Sequence, residues 1–409
     1  MSDWTSISIS ECCEILDSKR VPINEEERSN RIGDVPYYGA NGLQGYINDY
    51  IFNETLILIA EDGGYFDEYA TRSIAYRIYG KSWVNNHAHI LRSTSGYDQD
   101  FIFYCLEHKD ITPFIKGGTR AKLNQLELRQ ITIPSPPLLQ QRKIARILTT
   151  VDNLIEKTEA LIAKYQSIKQ GMMHDLFTRG VDEHGQLRPP YEEAPELYKL
   201  SELGWIPKEW MVHSVGDLAN YINGHSFNAT VWASEGLPII RIQNLNGELD
   251  FNYYAGRVDP RWEVFPGELL FAWSGMLETS FGSRIWHGQR AVLNQHIFKV
   301  VPNTRLVVKE FLHLLLRHNL QRIVASAHGF KSSFVHITRA ELLPVAVCVP
   351  AEEEQIRFLR RLDKLEFVLN KELQFNATLS KIKSGLMQDL LTGKVRVKVD
   401  EVEEVDVHA

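Results

Sequence analysis

Shifted by 214 residues against itself, the sequence lays residues 136–181 on 350–395 without a gap, and 14 of the 46 positions are identical. Among them are Pro136/Pro350, Gln141/Gln355, Arg146/Arg360, Lys157/Lys371, Lys169/Lys383, Gly171/Gly385, Asp175/Asp389 and Thr178/Thr392. A chain that repeats one half in the other must fold both halves alike, so it presents two similar surfaces.

The repeated segment has helical periodicity. With Ile144 as heptad position a, Ile144, Val151, Thr158, Tyr165 and Met172 fall at a, and Ile147, Leu154, Leu161, Ile168 and Asp175 at d. The same register in the second copy puts Phe358, Leu365, Glu372, Leu379 and Leu386 at a, then Arg361, Val368, Phe375, Ile382 and Asp389 at d. The polar breaks at Thr158/Glu372 and Asp175/Asp389 coincide, which favours pairing of the two helices with each other, because matched breaks penalise slipped registers. Prolines at Ser135-Pro136-Pro137 and Val349-Pro350 fix the chain before each first turn. At about 1.5 Å per residue, such a helix of roughly 40 residues is on the order of 60 Å long.

Residues 1–135 and 206–349 are of another kind, with short apolar runs broken by Gly, Asn and Asp. Leu56-Ile57-Leu58-Ile59-Ala60 before Glu61-Asp62-Gly63-Gly64 reads as a buried strand and turn, matched by Leu269-Leu270-Phe271-Ala272-Trp273 before Ser274-Gly275. Val84-Asn85-Asn86-His87 matches Leu293-Asn294-Gln295-His296. The expected fold class is α+β, or mixed α/β: two repeated domains joined by two long helices that form an antiparallel coiled coil. The expected boundaries are 1–135 for the first domain, 136–179 for the first helix and 180–205 for a Gly-, Pro- and charge-rich surface linker. A second domain at 206–349, a second helix at 350–393 and an acidic tail at 394–409 complete the chain.

At 409 residues and 44% hydrophobic, with no apolar run of bilayer length and a polar opening, the chain reads as a cytoplasmic globular protein. Cys12, Cys13, Cys105 and Cys348 form no Cys-x-x-Cys, so a reduced protein without structural zinc is expected. The net charge of −7 leaves room for local basic surfaces, because the acids concentrate in the linker, tail and helices.

Motifs for catalysis are largely missing. The sequence has no G-x-x-x-x-G-K-[ST] loop, no His-Glu-x-x-His and no EF-hand spacing. Ser135-Pro136-Pro137-Leu138 lacks the Asn or Asp that a methyltransferase motif uses to hold its amine, and reads as a helix start. Asp100 with Glu107-His108-Lys109 has loose nuclease spacing, but the intervening Phe101 to Leu106 reads as an amphipathic helix. His87 and His296 read as structural hydrogen-bonding residues. What recurs in both halves is loops of long donors and amides among aromatics, the groups that meet phosphates and base edges. The candidate contacts in the first half are Tyr38, Asn41, Arg72, Lys116, Thr119, Arg120 and Lys122. In the second they are Arg241, Gln243, Asn244, Arg284, Lys331 and Ser332.

Ile133-Pro-Ser-Pro-Pro-Leu-Leu-Gln-Gln-Arg-Lys-Ile-Ala-Arg-Ile147, the helix end Gly171-Met-Met-His-Asp-Leu-Phe-Thr-Arg-Gly-Val181 and the segment Glu196-Leu-Tyr-Lys-Leu-Ser-Glu-Leu-Gly-Trp-Ile-Pro-Lys-Glu-Trp210 resemble the specificity subunit of type I restriction-modification systems. The resemblance covers the whole order of domain, helix, domain, helix. It departs at Ala351-Glu-Glu-Glu-Gln355, which keeps the glutamine and loses the second proline and the leucines. The resemblance implies a non-catalytic DNA-binding chain whose two target recognition domains each read half of a bipartite, asymmetric site, with the helices setting the gap. It also implies double-stranded DNA, two adenine-methylating modification subunits and restriction/translocase subunits as partners, and no membrane. No cofactor is expected in this chain; S-adenosylmethionine, ATP and Mg belong to the partner subunits. A stand-alone nuclease or methyltransferase, or a coiled-coil protein-binding scaffold, are the competing readings.

Overall fold

The computed structural model describes residues 4–117, 121–277, 279–327 and 334–399. Two compact units emerge: residues 1–161 with 372–409, and residues 162–371. Each unit holds one α/β domain, part of the long helix Leu138–Arg179 and part of the long helix Glu352–Leu390.

The domain of the first unit is built on a four-stranded antiparallel sheet in the order Cys13–Ile15, Ala88–Ser93, Leu56–Ala60, Ala75–Ile78. All five residues of Leu56–Ala60 are buried, because successive side chains serve different cores. Ile57 and Ile59 join the cluster that includes the helix Gln99–Glu107, while Leu56 and Leu58 pack with Phe52, Ile78 and Ile90 on the other side. A smaller sheet runs Gly42–Ile47, Val35–Gly39, Lys81–Val84, Phe52–Asn53, with a parallel central pair. The second unit repeats this element for element: Ala219–Asn223, Ile297–Pro302, Leu269–Ala272, Gly282–Ile285 in the main sheet, and Tyr253–Tyr254, Leu237–Ile240, Ala291–Leu293, Glu263–Val264 in the smaller one. Its central small-sheet pair is parallel too, and the helix Lys309–His318 stands for Gln99–Glu107.

The glutamine that the repeat preserves ties each long helix to its domain. Gln141 Oε1 accepts from the Asp98 amide at 2.9 Å and its Nε2 donates to the Pro136 carbonyl at 2.8 Å. Gln355 does the same with the Val308 amide at 2.8 Å and the Pro350 carbonyl at 2.9 Å. Asp98 and Val308 are the N-caps of the two equivalent domain helices, so one side chain satisfies a helix-start amide that would otherwise lack an intrahelical partner. Both glutamines are buried, and the hydrogen bonds carry that burial.

The long helices pair antiparallel. In the first unit Lys383 Nζ meets Asp152 at 2.8 Å; in the second Lys169 Nζ meets Glu366 at 2.6 Å. These are repeat-equivalent residues with roles exchanged, as an isologous contact requires. The buried stripe differs from the expected seam. The a positions face inward, Ile144, Val151, Phe358 and Leu379 among them, but their companions are Leu148, Ile162, Leu362, Leu369 and Leu390, one residue beyond d. Leu154, Ile168, Phe375 and Ile382, assigned to the seam by the sequence, are 40 to 48% exposed. Thr158, read as a break, is buried, its hydroxyl donating to the Leu154 carbonyl at 2.7 Å. Asp175 and Asp389 form ion pairs with Arg179 and Lys394 at 2.9 Å.

The segment read as a surface linker is anchored. Glu354 is buried and accepts from the Val181 amide at 2.9 Å, from both terminal nitrogens of Arg188 at 2.6 and 2.9 Å, and from Trp210 Nε1 at 3.2 Å. Gly180, at φ 66°, lies so close that a Cβ there would clash with Glu354 Oε1. A hairpin of Tyr198–Ser201 and Gly204–Pro207 follows, and Tyr191 stacks on Trp205.

Candidate nucleic-acid interface

In the first unit, the turn after the central strand gathers the candidate contacts. Asn41 Nδ2 donates to the Gly63 carbonyl at 3.0 Å on one side of this turn, and Lys122 Nζ pairs with Glu61 at 3.1 Å on the other. Lys116 and Lys122 exchange backbone hydrogen bonds of 2.8 Å and close the intervening loop at its base. Thr119 and Arg120 lie outside the described residues. Tyr38, Asn41 and Arg72 line one cavity of about 250 Å³, where the Arg72 guanidinium sits 3.7 Å from the ring centroid of the exposed Tyr65. An exposed aromatic face with a stacked arginine suits contact with a base or sugar, and the surrounding lysines suit phosphate.

The base of the loop is fixed from inside. His89 Nδ1 contacts Asp17 at 2.5 Å and its Nε2 contacts the Leu123 carbonyl at 2.7 Å, while Asp17 also accepts from the Ile90 amide and from Gln125 Nε2. Burial raises the Asp17 carboxyl, but His89, the Ile90 amide and Arg20 outweigh it and hold the group below the ordinary carboxylate range. Asp17, Glu61 and His89 lie close enough to suggest a metal site. Both imidazole nitrogens already have partners and Arg20 occupies Glu61 at 2.6 Å, so the cluster is an anchor for the loop. His87, beside it, pairs with Asp62 at 2.8 Å.

In the second unit the candidates divide. Arg241 Nη1 donates to Asn252 at 2.8 Å and its guanidinium lies 5.4 Å from the Trp232 ring centroid. Gln243 sits on the short helix Ile242–Leu245 beside it. Asn244 is buried, its Oδ1 taken by the Arg241 amide and its Nδ2 by the Glu248 and Asp250 carbonyls, so it shapes the turn that presents Arg241 and Gln243. Arg284 is on the edge strand Gly282–Ile285 and lines, with Asn244, a different cleft. Lys331 and Ser332 lie outside the described residues. His296 contacts the Trp273 ring at 5.2 Å, and Trp273 also meets His336 at 4.8 Å. The sequence reading missed the latching roles of Gln141, Gln355 and Glu354, although the Gln141/Gln355 identity marked the first two.

The geometry defines a class: two copies of one α/β domain, each presenting polar and aromatic loops, on a pair of antiparallel helices. The type I restriction modification DNA specificity domain matches residues 1–165 and 207–377, and the chain belongs to that family. Among its relatives, the type I restriction enzyme MjaVIII specificity subunit of Methanocaldococcus jannaschii is 25% identical over 422 residues, covering 97% of this chain and 94% of the relative. The MjaIX specificity subunit of the same organism is 23% identical over 317 residues, covering 74% and 70%. The fold is shared with the crystal structure of a type I restriction-modification S subunit from M. genitalium, at a TM-score of 0.61 and 16% identity over 95% of this chain and 96% of the other.

Proposed function

We propose that this chain is the DNA-reading specificity subunit of a type I restriction-modification complex, with each domain recognising one half of a bipartite site. The observation that carries the reading is the repeat itself: one scaffold is built twice, yet the loops at equivalent places differ in chemistry. Where Tyr38, Asn41 and Arg72 share one cavity in the first half, the second offers Arg241 beside Trp232, with Gln243 on the adjoining short helix. Different donors on equivalent scaffolds read unlike half-sites, so the full site is asymmetric, and the helix pair sets the gap between the halves. Methylation of adenine from S-adenosylmethionine, and ATP- and Mg-dependent translocation and cleavage, are functions of two modification subunits and of restriction subunits. This chain itself carries out no catalysis and works in the cytoplasm. In the described residues no helix is long and apolar enough to cross a membrane.

Methylation-sensitive sequencing of DNA from cells that express this chain with its modification partner tests the proposal. A bipartite motif with methyl-adenine in both halves is expected. Methylation without sequence preference, or DNA cleavage by the purified chain alone, refutes it.

A further inference from the structure

The repeat exposes one place where equivalent residues have opposite charge. Each main sheet carries one arginine on its edge strand: Arg77 pairs with Ile57 of the central strand, and Arg284 pairs with Leu270, which by the shared register matches Leu58, so Arg284 stands at the position of Tyr76 and Ile285 at that of Arg77. The domain helices align through their glutamine-bound caps, Asp98 and Val308, so Phe101 matches Phe311, Phe103 matches His313, Tyr104 matches Leu314 and Glu107 matches Arg317.

Around Arg77 the charges close on themselves. Its guanidinium meets Asp100 at 2.9 Å and Asp152 at 3.4 Å and lies against Phe103 and Tyr104, while Lys383 bridges Glu107 and Asp152 at 2.8 Å each. Around Arg284 they do not. Lys169 takes Glu366, and Glu310 is paired with Lys309 at 3.3 Å. Among the described residues, no ion pair reaches Arg284 or Arg317, and Arg284 donates only to the Ser283 and Thr279 carbonyls. Burial, with Arg317 nearby, lowers the Arg284 pKa; burial, Arg317 and Arg284 push His313 down to about 4. A half-buried arginine without a carboxylate is costly, and the missing partner is an anion.

The space beside it has the shape for more than a bare ion. Arg284 and His313 line a cleft of about 810 Å³ walled by Leu245, Leu249, Phe251 and Trp286, the last two rings meeting edge-on at 6.3 Å. Cleft sizes of roughly 300 to 1,000 Å³ with apolar walls and few polar groups are those of small-molecule sites. We propose that this cleft binds a nucleoside phosphate, its phosphate on Arg284 within the field of Arg317 and its base against the Phe251 and Trp286 wall. The nucleoside phosphate is either free or part of a DNA strand.

Titration calorimetry on the full chain with AMP, adenosine and inorganic phosphate tests this. AMP is expected to bind with a dissociation constant of about a millimolar or tighter, and both fragments at least about tenfold more weakly. Arg317→Glu, which restores the acid present in the first half, and Arg284→Gln should each weaken AMP at least about tenfold, with Arg317→Glu melting no lower than the parent. Leu249→Asp, on a side chain 87% exposed at the rim, places a negative charge at the cleft without disturbing the core and should also weaken AMP. Competition with a duplex lacking the recognition site separates the sources: loss of AMP binding assigns the phosphate to DNA, and retention assigns it to a free nucleotide. No AMP binding at 10 mM, equal binding of AMP and phosphate, or unchanged AMP affinity in Leu249→Asp and Arg317→Glu overturns the proposal. Sequence preference at the half-sites is read separately and stands or falls independently.

Discussion

The two buried glutamines show how much one side chain can do. Gln141→Leu removes hydrogen bonds to two backbone groups and Gln355→Leu to three, and each leaves a part-buried amide without its acceptor, so each is expected to destabilise its own unit by about 2 kcal/mol. Urea unfolding followed by fluorescence measures this, and a loss below about 0.5 kcal/mol would show that the latch is dispensable. Asp17 supplies a pH signature. Its folded pKa is depressed, so its stabilising contribution is present above the unfolded value near 3.9 and is lost as pH falls through the lower folded value. Thermal melts between pH 5 and pH 2 should show a falling first-unit transition in the parent and a flatter one in Asp17→Asn; equal slopes would remove Asp17 from the account. At the reading surface, Gln243→Ala should relax discrimination at one or two positions of one half-site by about 1 to 3 kcal/mol. Binding assays on a panel of single-base variants check it, and a uniform loss across the panel would mean that Gln243 touches only the backbone.

At the scale of the helices, the position of the seam separates folding from assembly. Leu369→Ala removes a buried side chain and should cost about 2 to 4 kcal/mol. Phe375→Ser and Ile382→Ser act on exposed positions and should change stability by less than about 0.5 kcal/mol, even though heptad counting places them in the seam and leaves Leu369 outside it. Under the proposed function, their apolar surface is a docking face for the modification subunits. Co-purification of the partner with the Phe375→Ser, Ile382→Ser chain should therefore drop while the melting temperature holds, and undiminished capture would place the partner elsewhere. The linker behaves as an element in its own right, since Glu354→Gln leaves Arg188 buried beside a neutral group. That change should cost about 3 kcal/mol, more than a flexible connector could lose.

For the whole molecule, independence of the two units is the central expectation. Each has its own core, and each core includes the start of one long helix and the end of the other: Ile144 and Leu148 with Leu390 in the first, Phe358 and Leu362 with Leu176 and Phe177 in the second. Replacing residues 1–135 with the corresponding domain of a relative should change one half-site and spare the other. Removing one heptad from each long helix should alter the gap and spare both. Motif sequencing of the methylated genome reads either result, and a change in both half-sites after the domain exchange would end the idea of separate reading.

The 214-residue repeat, the two long helices and the buried central strands were legible in the sequence because periodicity and apolar runs are local properties of a chain. The choice of seam was not. Ile147, Leu154 and Ile168 are as apolar as Leu148 and Ile162, and at 3.6 residues per turn the positions three and four after each a residue flank the same stripe. Only the place of the partner helix decides which flank is covered. The same holds for the edge-strand arginines: Arg77 finds Asp100 and Asp152, whereas Arg284, one register position away, lies near Arg317, the residue that matches Glu107. Charge compensation is a property of what three elements bring together, and no single segment of the sequence contains it.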